Sequence, residues 1–313
     1  MSGQSPNLIN LANRAQEYAT AGEYTAAIAA ASEAIRRDPA FALAFNNRGA
    51  AYNGLGEYDK ALADLNESIA LNPDYPPAYA NRANTYYHMG DIDRAIEEYS
   101  EAIRRDPKHT VAYSNRGAMY YRKGDYDRAI ADISTALMLD SGFAHGYFNR
   151  GMAHDFKGDI EHAIADYSQA IRYDPTLVLA YLSRGHAYLH KRDYDRAIAD
   201  YTDTLRLDPR SAIAYLNRAV AHHSRGDHDH AISDYSEALM LDPGTVMAYI
   251  GRAAALYNLG DYLRAVDDLT DAINIEPSPL AYQRRANALH KLGRNAEAEA
   301  DSDEARRLGK DGQ

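Results

Sequence analysis

Residues 110–143 read TVAYSNRGAMYYRKGDYDRAIADISTALMLDSGF. Apolar and small residues recur at helical spacing on both sides of Gly124-Asp125, which predicts two helices separated by one turn. The aspartate is placed to cap the second helix. In most stretches of this kind an Asp-Pro pair closes the unit, as at Asp106-Pro107 and Asp174-Pro175. Proline drives the residue before it out of the helical region and stops the helix there. Helices of about 13 residues are roughly 20 Å long and marginal alone, so each must be stabilised by neighbours.

The neighbours are copies of the same unit. Asn115-Arg116-Gly117 recurs as Asn13-Arg14-Ala15, Asn47-Arg48-Gly49, Asn81-Arg82-Ala83, Asn149-Arg150-Gly151, Ser183-Arg184-Gly185, Asn217-Arg218-Ala219, Gly251-Arg252-Ala253 and Arg284-Arg285-Ala286. The spacing is 34 residues, except for 33 between Gly251 and Arg284, where the turn around Pro277-Ser278-Pro279 can absorb the missing residue. The expected organisation is a flexible tail over 1–7 and an array over 8–312. Its nine units run 8–41, 42–75, 76–109, 110–143, 144–177, 178–211, 212–245, 246–278 and 279–312. The last of these is expected to be a polar cap, because Asn295 and Ser302 stand where other units are apolar or aromatic and Ala296 to Leu308 is rich in Glu and Asp. Arg192 replaces the turn glycine of the sixth unit, so a local distortion is expected there.

Composition narrows the function classes. The 313 residues are 46 % hydrophobic and 25 % charged, a globular balance that argues against disorder along the whole chain. With no cysteine, disulfides, thiolate metal sites, Fe–S clusters and a cysteine nucleophile are excluded. A net charge of −11 offers no basic footprint for nucleic acid. No apolar run approaches the roughly 20 residues that span a bilayer. Met1 to Asn10 has neither a basic start nor an apolar stretch, so no signal peptide is read and a cytoplasmic location, without membrane partners, is expected. The skew to 26 Tyr against 5 Phe and no Trp is the mark of one motif copied many times.

When each unit is numbered with its asparagine as position 6, the pattern resembles the tetratricopeptide repeat (TPR) family over nearly the whole chain. Position 8 is Gly or Ala throughout, and position 20 is always alanine, from Ala27 and Ala61 to Ala265 and Ala298. Position 27 is alanine with Ser68 and Thr204 as small substitutes, and position 32 is mostly proline. Position 4, often Trp in the family, is tyrosine from Tyr79 to Tyr282. The resemblance implies an all-α fold, a right-handed superhelical solenoid of nine helix-turn-helix repeats. It also implies that positions 2, 5, 6, 9, 12 and 13 of the first helices line a concave groove.

The groove candidates follow from those positions. Position 6 gives Asn47, Asn81, Asn115, Asn149 and Asn217. Asparagine is a poor helix former, so its repetition at one helical position needs a reason. Its amide can donate and accept, and a row of amides can hold the backbone of an extended peptide. The row resembles the asparagine ladder in the TPR array of O-linked N-acetylglucosamine transferases. The competing reading is packing between neighbouring first helices. Positions 12 and 13 add the rings of Tyr87, His88, Tyr121, Phe156, His190, His223 and Tyr257, which bury area on binding and mostly keep a polar tip, together with the charged Arg122. The acidic surplus is expected on the outer face.

Position 7 is arginine in every unit and position 23 is acidic in eight, from Asp64 to Asp301. Planar arginine pairs with carboxylates bidentately, so internal ion pairs are expected, with a strip for anionic ligands as the alternative. A carboxylate clamp for chaperone C-termini needs lysine at positions 2 and 5, and none is present. His222, His223, Asp227, His228, Asp229 and His230 could hold Zn or Ni, but they straddle a turn and are expected to point several ways, so no metal site is read. His190-Lys191-Arg192-Asp193 resembles a kinase catalytic loop by accident, since the chain has no nucleotide-binding loop. No enzyme activity and no cofactor are expected. The predicted function is a scaffold that binds an extended peptide or partner segment. The alternatives are a self-associating structural protein, possible as a homo-oligomer, or an adaptor subunit of a larger enzyme complex.

Overall fold

The computed structural model describes residues 6–311. Among them, helix follows helix with no strand: α1 Pro6–Thr20, α2 Tyr24–Arg37, α3 Ala42–Gly54, α4 Tyr58–Leu71, α5 Pro76–His88, α6 Ile92–Arg105, α7 Thr110–Arg122, α8 Tyr126–Leu139, α9 Ala144–Phe156, α10 Ile160–Tyr173, α11 Val178–His190, α12 Tyr194–Leu207, α13 Ala212–Arg225, α14 His228–Leu241, α15 Val246–Leu259, α16 Tyr262–Ile275, α17 Pro279–Lys291 and α18 Asn295–Asp311. The fold is the all-α TPR solenoid, built of consecutive helix pairs. Residues 1–5 of the expected tail lie outside the described residues, and α1 begins at Pro6. No helix among the described residues is long and apolar enough to cross a membrane.

The chain forms two compact units, one ending at Gly158 and one beginning at Asp159. Within each, the first helix of a pair packs on its own second helix, and each second helix packs on the first helix of the following pair. Alanine at position 20 makes this approach possible: Ala27, Ala61, Ala95, Ala129, Ala163, Ala197, Ala231, Ala265 and Ala298 are all fully buried. At Gly117 a Cβ would lie 2.7 Å from Ile133 Cγ1 and 3.1 Å from the Ala129 carbonyl, so position 8 tolerates almost no side chain there.

The second helices begin as the sequence predicts. Asp91, Asp125, Asp193 and Asp261 accept from the backbone N–H three residues on, which satisfies a donor that the helix leaves orphaned. Arg192, expected to distort its turn, does not. It takes the left-handed conformation itself, with φ of 60°. Its N–H donates to Leu189 O at 2.9 Å and that of Asp193 to Tyr188 O at 2.9 Å, just as Gly90 and Asp91 bond to Tyr87 and Tyr86 at 2.9 Å. The strain is confined to one residue because the hydrogen bonds of the turn and the Asp193 cap hold the backbone on both sides. The short linker between the eighth and ninth pairs is absorbed as expected: Ser278 caps α17 by accepting from Ala281 N–H.

The arginine row forms a brace. Arg48 donates to both oxygens of Asp64 at 2.6 and 2.7 Å, and its third nitrogen reaches Ser32 in the preceding pair at 3.2 Å. The same arrangement joins Arg116 to Asp132 and Ser100, Arg184 to Asp200 and Ser168, Arg218 to Asp234 and Thr202, and Arg252 to Asp268 and Ser236. Each guanidinium therefore ties together three helices from two pairs. The aspartates are buried, and the arginines also lie against the position-4 rings, as Arg184 does on Tyr181 at 5.9 Å. Where position 23 is alanine, at Ala30, Arg14 turns instead to the Tyr18 hydroxyl at 3.1 Å.

Candidate functional site

In the first unit, α1, α3 and α5 line a cavity of 880 Å³. Gln16, Asn46, Asn47, Asn53, Asn81 and Asn84 supply six amides to it. These stand at positions 5, 6, 9 and 12, the positions that the repeat pattern assigns to the groove. Tyr24, Tyr58 and His88 also line it, and no Asp, Glu, Lys or Arg does. Position 12 or 13 of a helix lies about two turns from position 5 or 6 on the same face, which is why one face of each helix can supply the whole lining.

The amides are already linked to one another. Asn81 Nδ2 donates to Asn46 Oδ1 at 2.9 Å, Asn46 Nδ2 to Asn47 Oδ1 at 3.0 Å, and Asn47 Nδ2 to the Ala12 carbonyl at 2.9 Å. This chain of bonds crosses three helix pairs. Asn47 is only 5 % exposed, so at this position the asparagine holds neighbouring first helices together. Farther along, Asn84 Oδ1 accepts from the buried Tyr99 hydroxyl at 2.5 Å and from Asn115 Nδ2 at 3.5 Å. Burial raises the Tyr99 pKa, so the phenol stays a neutral donor. One acceptor in the cavity is unused: Asn53 Oδ1 is buried and has no hydrogen-bond partner.

The remaining candidates fall into smaller groups. Arg122 lies over Tyr87 at 5.0 Å, and Tyr87 meets His88 at 5.1 Å. Tyr121 and Phe156 meet edge-on at 5.5 Å with Tyr126 stacked beside Phe156. Phe156 is 66 % exposed. Asn149 is half-buried on α9. In the second unit, Asn217 is half-buried on α13 and His190 is exposed on α11 beside His186 at 5.1 Å. His223 contacts His228 at 4.9 Å, and neither Nδ1 has a hydrogen-bond partner. Burial, with His228 and Arg284 nearby, lowers the His223 pKa.

Three features escaped sequence reasoning. Position 2 forms an exposed aliphatic row in the second unit, with Leu179, Ile213, Met247 and Leu280 each about half or more exposed. Their spacing in the sequence was the available signal, since four consecutive repeats place an apolar residue on a face expected to meet water. The tyrosines at position 24 were also missed, among them Tyr99, whose hydroxyl reaches the amide row. They explain one gap in that row: a Cβ at Gly251 would lie 2.4 Å from Tyr235 Cζ, so asparagine does not fit. The asparagines at positions 5 and 9, Asn46 and Asn84, were the third, and they carry the bonds between neighbouring amides.

Family profiles described as tetratricopeptide repeats match residues 13–76, 52–117, 110–143 and 182–246, and a TPR repeat profile matches 157–191. The crystal structure of MamA is 25 % identical over 51 % of this chain and 94 % of its own, with a TM-score of 0.50. The C-terminal part of a TPR repeat-containing protein from Cytophaga hutchinsonii is 21 % identical over 79 % of this chain and 99 % of its own, with a TM-score of 0.65. YrrB, described as a TPR protein with an unusual peptide-binding site, is 20 % identical over 59 % of this chain and 95 % of its own, with a TM-score of 0.53. The latter two likenesses are of fold. No curated protein matches the chain.

Proposed function

The chain belongs to the tetratricopeptide repeat family, a family of protein-interaction scaffolds, and from that premise we propose that it binds an extended peptide through the first helices of its first unit. The observation that carries this reading is the uncharged 880 Å³ cavity with its six amides and the unpaired Asn53 acceptor. An extended peptide presents N–H and C=O groups that an amide row can meet without reading side chains. The Asn53 oxygen supplies an acceptor whose desolvation is otherwise uncompensated. No side chain in the lining is arranged as nucleophile and base, and the role is non-catalytic.

The exposed aliphatic row and the exposed rings fit the same role as sites for apolar side chains of a partner. YrrB's described peptide-binding site is consistent with peptide recognition on such a repeat frame. Peptides selected from a displayed random library against the full chain test the reading. Selected ligands should compete with one another and protect α1, α3 and α5 from hydrogen exchange. Ligands that instead protect only the second helices would reject the cavity as the site.

A further inference from the structure

In five of the nine helix pairs positions 11 and 19 hold either tyrosine with arginine or two histidines. In three helix pairs a tyrosine at position 11 lies under an arginine at position 19: Arg94 on Tyr86 at 4.7 Å, Arg128 on Tyr120 at 4.4 Å and Arg196 on Tyr188 at 4.5 Å. Each of these arginines also pairs with the helix-capping aspartate at position 16, namely Asp91, Asp125 and Asp193. In the seventh pair both partners are histidine, His222 and His230, while the aspartate is kept as Asp227. The sequence repeats the double replacement with His154, Asp159 and His162. The exchange removes a fixed cation and puts two imidazoles, each able to present a nitrogen lone pair, beside a retained carboxylate.

The histidine-rich stretch divides, as expected, into groups that point different ways, with His223 against His228, but one group was not foreseen. Three of its six members converge. His222 Nδ1 is 3.4 Å from Asp227 Oδ2 and His230 Nδ1 is 2.8 Å from Asp227 Oδ1. The two rings stack at 5.2 Å with 19° between their planes. One ligand atom from each of the three residues lies within 4.8 Å of the others. Zinc bonds of about 2.0–2.2 Å place neighbouring ligands roughly 3–3.5 Å apart in a tetrahedral site. The exposed His230 ring can close the remaining gap by rotating.

We propose that His222, Asp227 and His230 bind a divalent transition ion of the zinc class, leaving a coordination position for water or a donor from a partner. Two imidazoles and one carboxylate suit such an ion, whereas magnesium and calcium favour all-oxygen sets. The buried Asp234 carboxylate lies behind His222, with Oδ2 3.9 Å from Nε2, and Arg218 fixes it. At that distance the carboxylate does not hydrogen-bond the ring, but its negative charge raises the basicity of the imidazole. Burial lowers the His222 pKa, which favours the neutral ring that ligation needs. The resident cation is Arg225, whose Nη2 lies 2.9 Å from Asp227 Oδ2 and 3.3 Å from His222 Nδ1. Its Nη1 is held by Asp195 at 2.7 Å, so it can yield Asp227 to the metal and keep its other partner.

Calorimetric titration of the metal-stripped full chain with zinc chloride tests the site. The variant His222→Tyr/His230→Arg installs the pair that the preceding repeat uses at Tyr188 and Arg196, which preserves the fold. The single change His230→Arg, at an exposed position, is the second arm. The double variant should bind one equivalent of zinc fewer than the parent chain, and the single variant should bind that equivalent at least about tenfold more weakly. Absence of binding by the parent chain, or unchanged stoichiometry and affinity in both variants, would overturn the proposal.

Discussion

In the unit that ends at Gly158, the inner positions of the first helices carry amides: Asn46, Asn47, Asn53, Asn81, Asn84 and Asn115. In the unit that begins at Asp159, the same positions keep amides at Asn217, Asn258 and Asn287 but add His186, His190 and His223, and the aliphatic row from Leu179 to Leu280 stands exposed in four consecutive repeats. The frames do not differ in this way. Arg116 with Asp132 in the first unit and Arg184 with Asp200 in the second form the same bidentate pair, at 2.7–2.8 Å and 2.7–2.9 Å. Alanine at position 20 is fully buried in both. The rows that brace the helix pairs are thus mostly separate from the rows that line the first helices, Asn47 being a member of the lining that also ties neighbouring helices, and the rest of the lining can change while the frame stays constant.

The largest expected effect tests the shared frame. Asp132→Ala and Asp200→Ala should each cost about 2–3 kcal/mol, between the values for exposed and fully buried pairs, because each leaves a partly buried guanidinium without its main partner. Urea denaturation should show the two losses within about 1 kcal/mol of each other. A larger gap would break the claim of one frame. The lining should behave in the opposite way. Asn47→Ala should cost about 1–2 kcal/mol, since it removes buried bonds to Ala12 and Asn46, while half-buried Asn217→Ala should change stability by less than about 0.5 kcal/mol. Equal losses at the two sites would show that the asparagine row has one role throughout.

Arg192→Gly should raise stability by about 1 kcal/mol, because glycine takes the left-handed backbone without the clash an ordinary side chain meets. A drop in melting temperature would mean that the arginine side chain contributes more than its strain costs. The smallest effect concerns pH. His222 and His223 are both held below the ordinary histidine value, chiefly by burial. The folded chain binds these protons more weakly than the unfolded one. Their contribution is therefore full above the unfolded value of about 6.5 and is lost as pH falls from there through the folded value. Protection of α13 and α14 from hydrogen exchange, corrected for the intrinsic rate, should fall below about pH 6.5 while that of α3 holds. Equal changes in both would place the acid sensitivity elsewhere.

The frame was legible in the sequence because each of its rows obeys one steric or electrostatic rule at every repeat. Alanine at position 20 and Gly or Ala at position 8 follow from close approach, and arginine at position 7 with an acid at position 23 follows from pairing. The pairing partner of each arginine within its own helix pair could be expected, but the hydroxyl in the preceding pair could not. That contact depends on how successive pairs pack, which no single repeat encodes. The lining was only partly legible. Asn47 and Asn81 occupy equivalent positions, yet one is buried against a backbone carbonyl and the other bonds a neighbouring amide at the cavity. Asparagine at position 5 occurs only at Asn46, so repetition gave no signal for it. Arg192 misled for a related reason: hydrogen bonds around the turn outweigh the local preference for glycine.

The central claim is that the amides of the first unit bind a peptide backbone. The most direct test is the affinity of a library-selected peptide for the parent chain and for Asn53→Ala/Asn81→Ala/Asn84→Ala, measured at two salt concentrations. Each lost hydrogen bond should cost about 0.5–1.5 kcal/mol. The account predicts a loss of roughly tenfold or more in the triple variant, with little change between low and moderate salt because the lining carries no charged side chain. A peptide that binds the triple variant as tightly as the parent chain, but is released by moderate salt, would contradict it and move the binding surface to the acidic outer face.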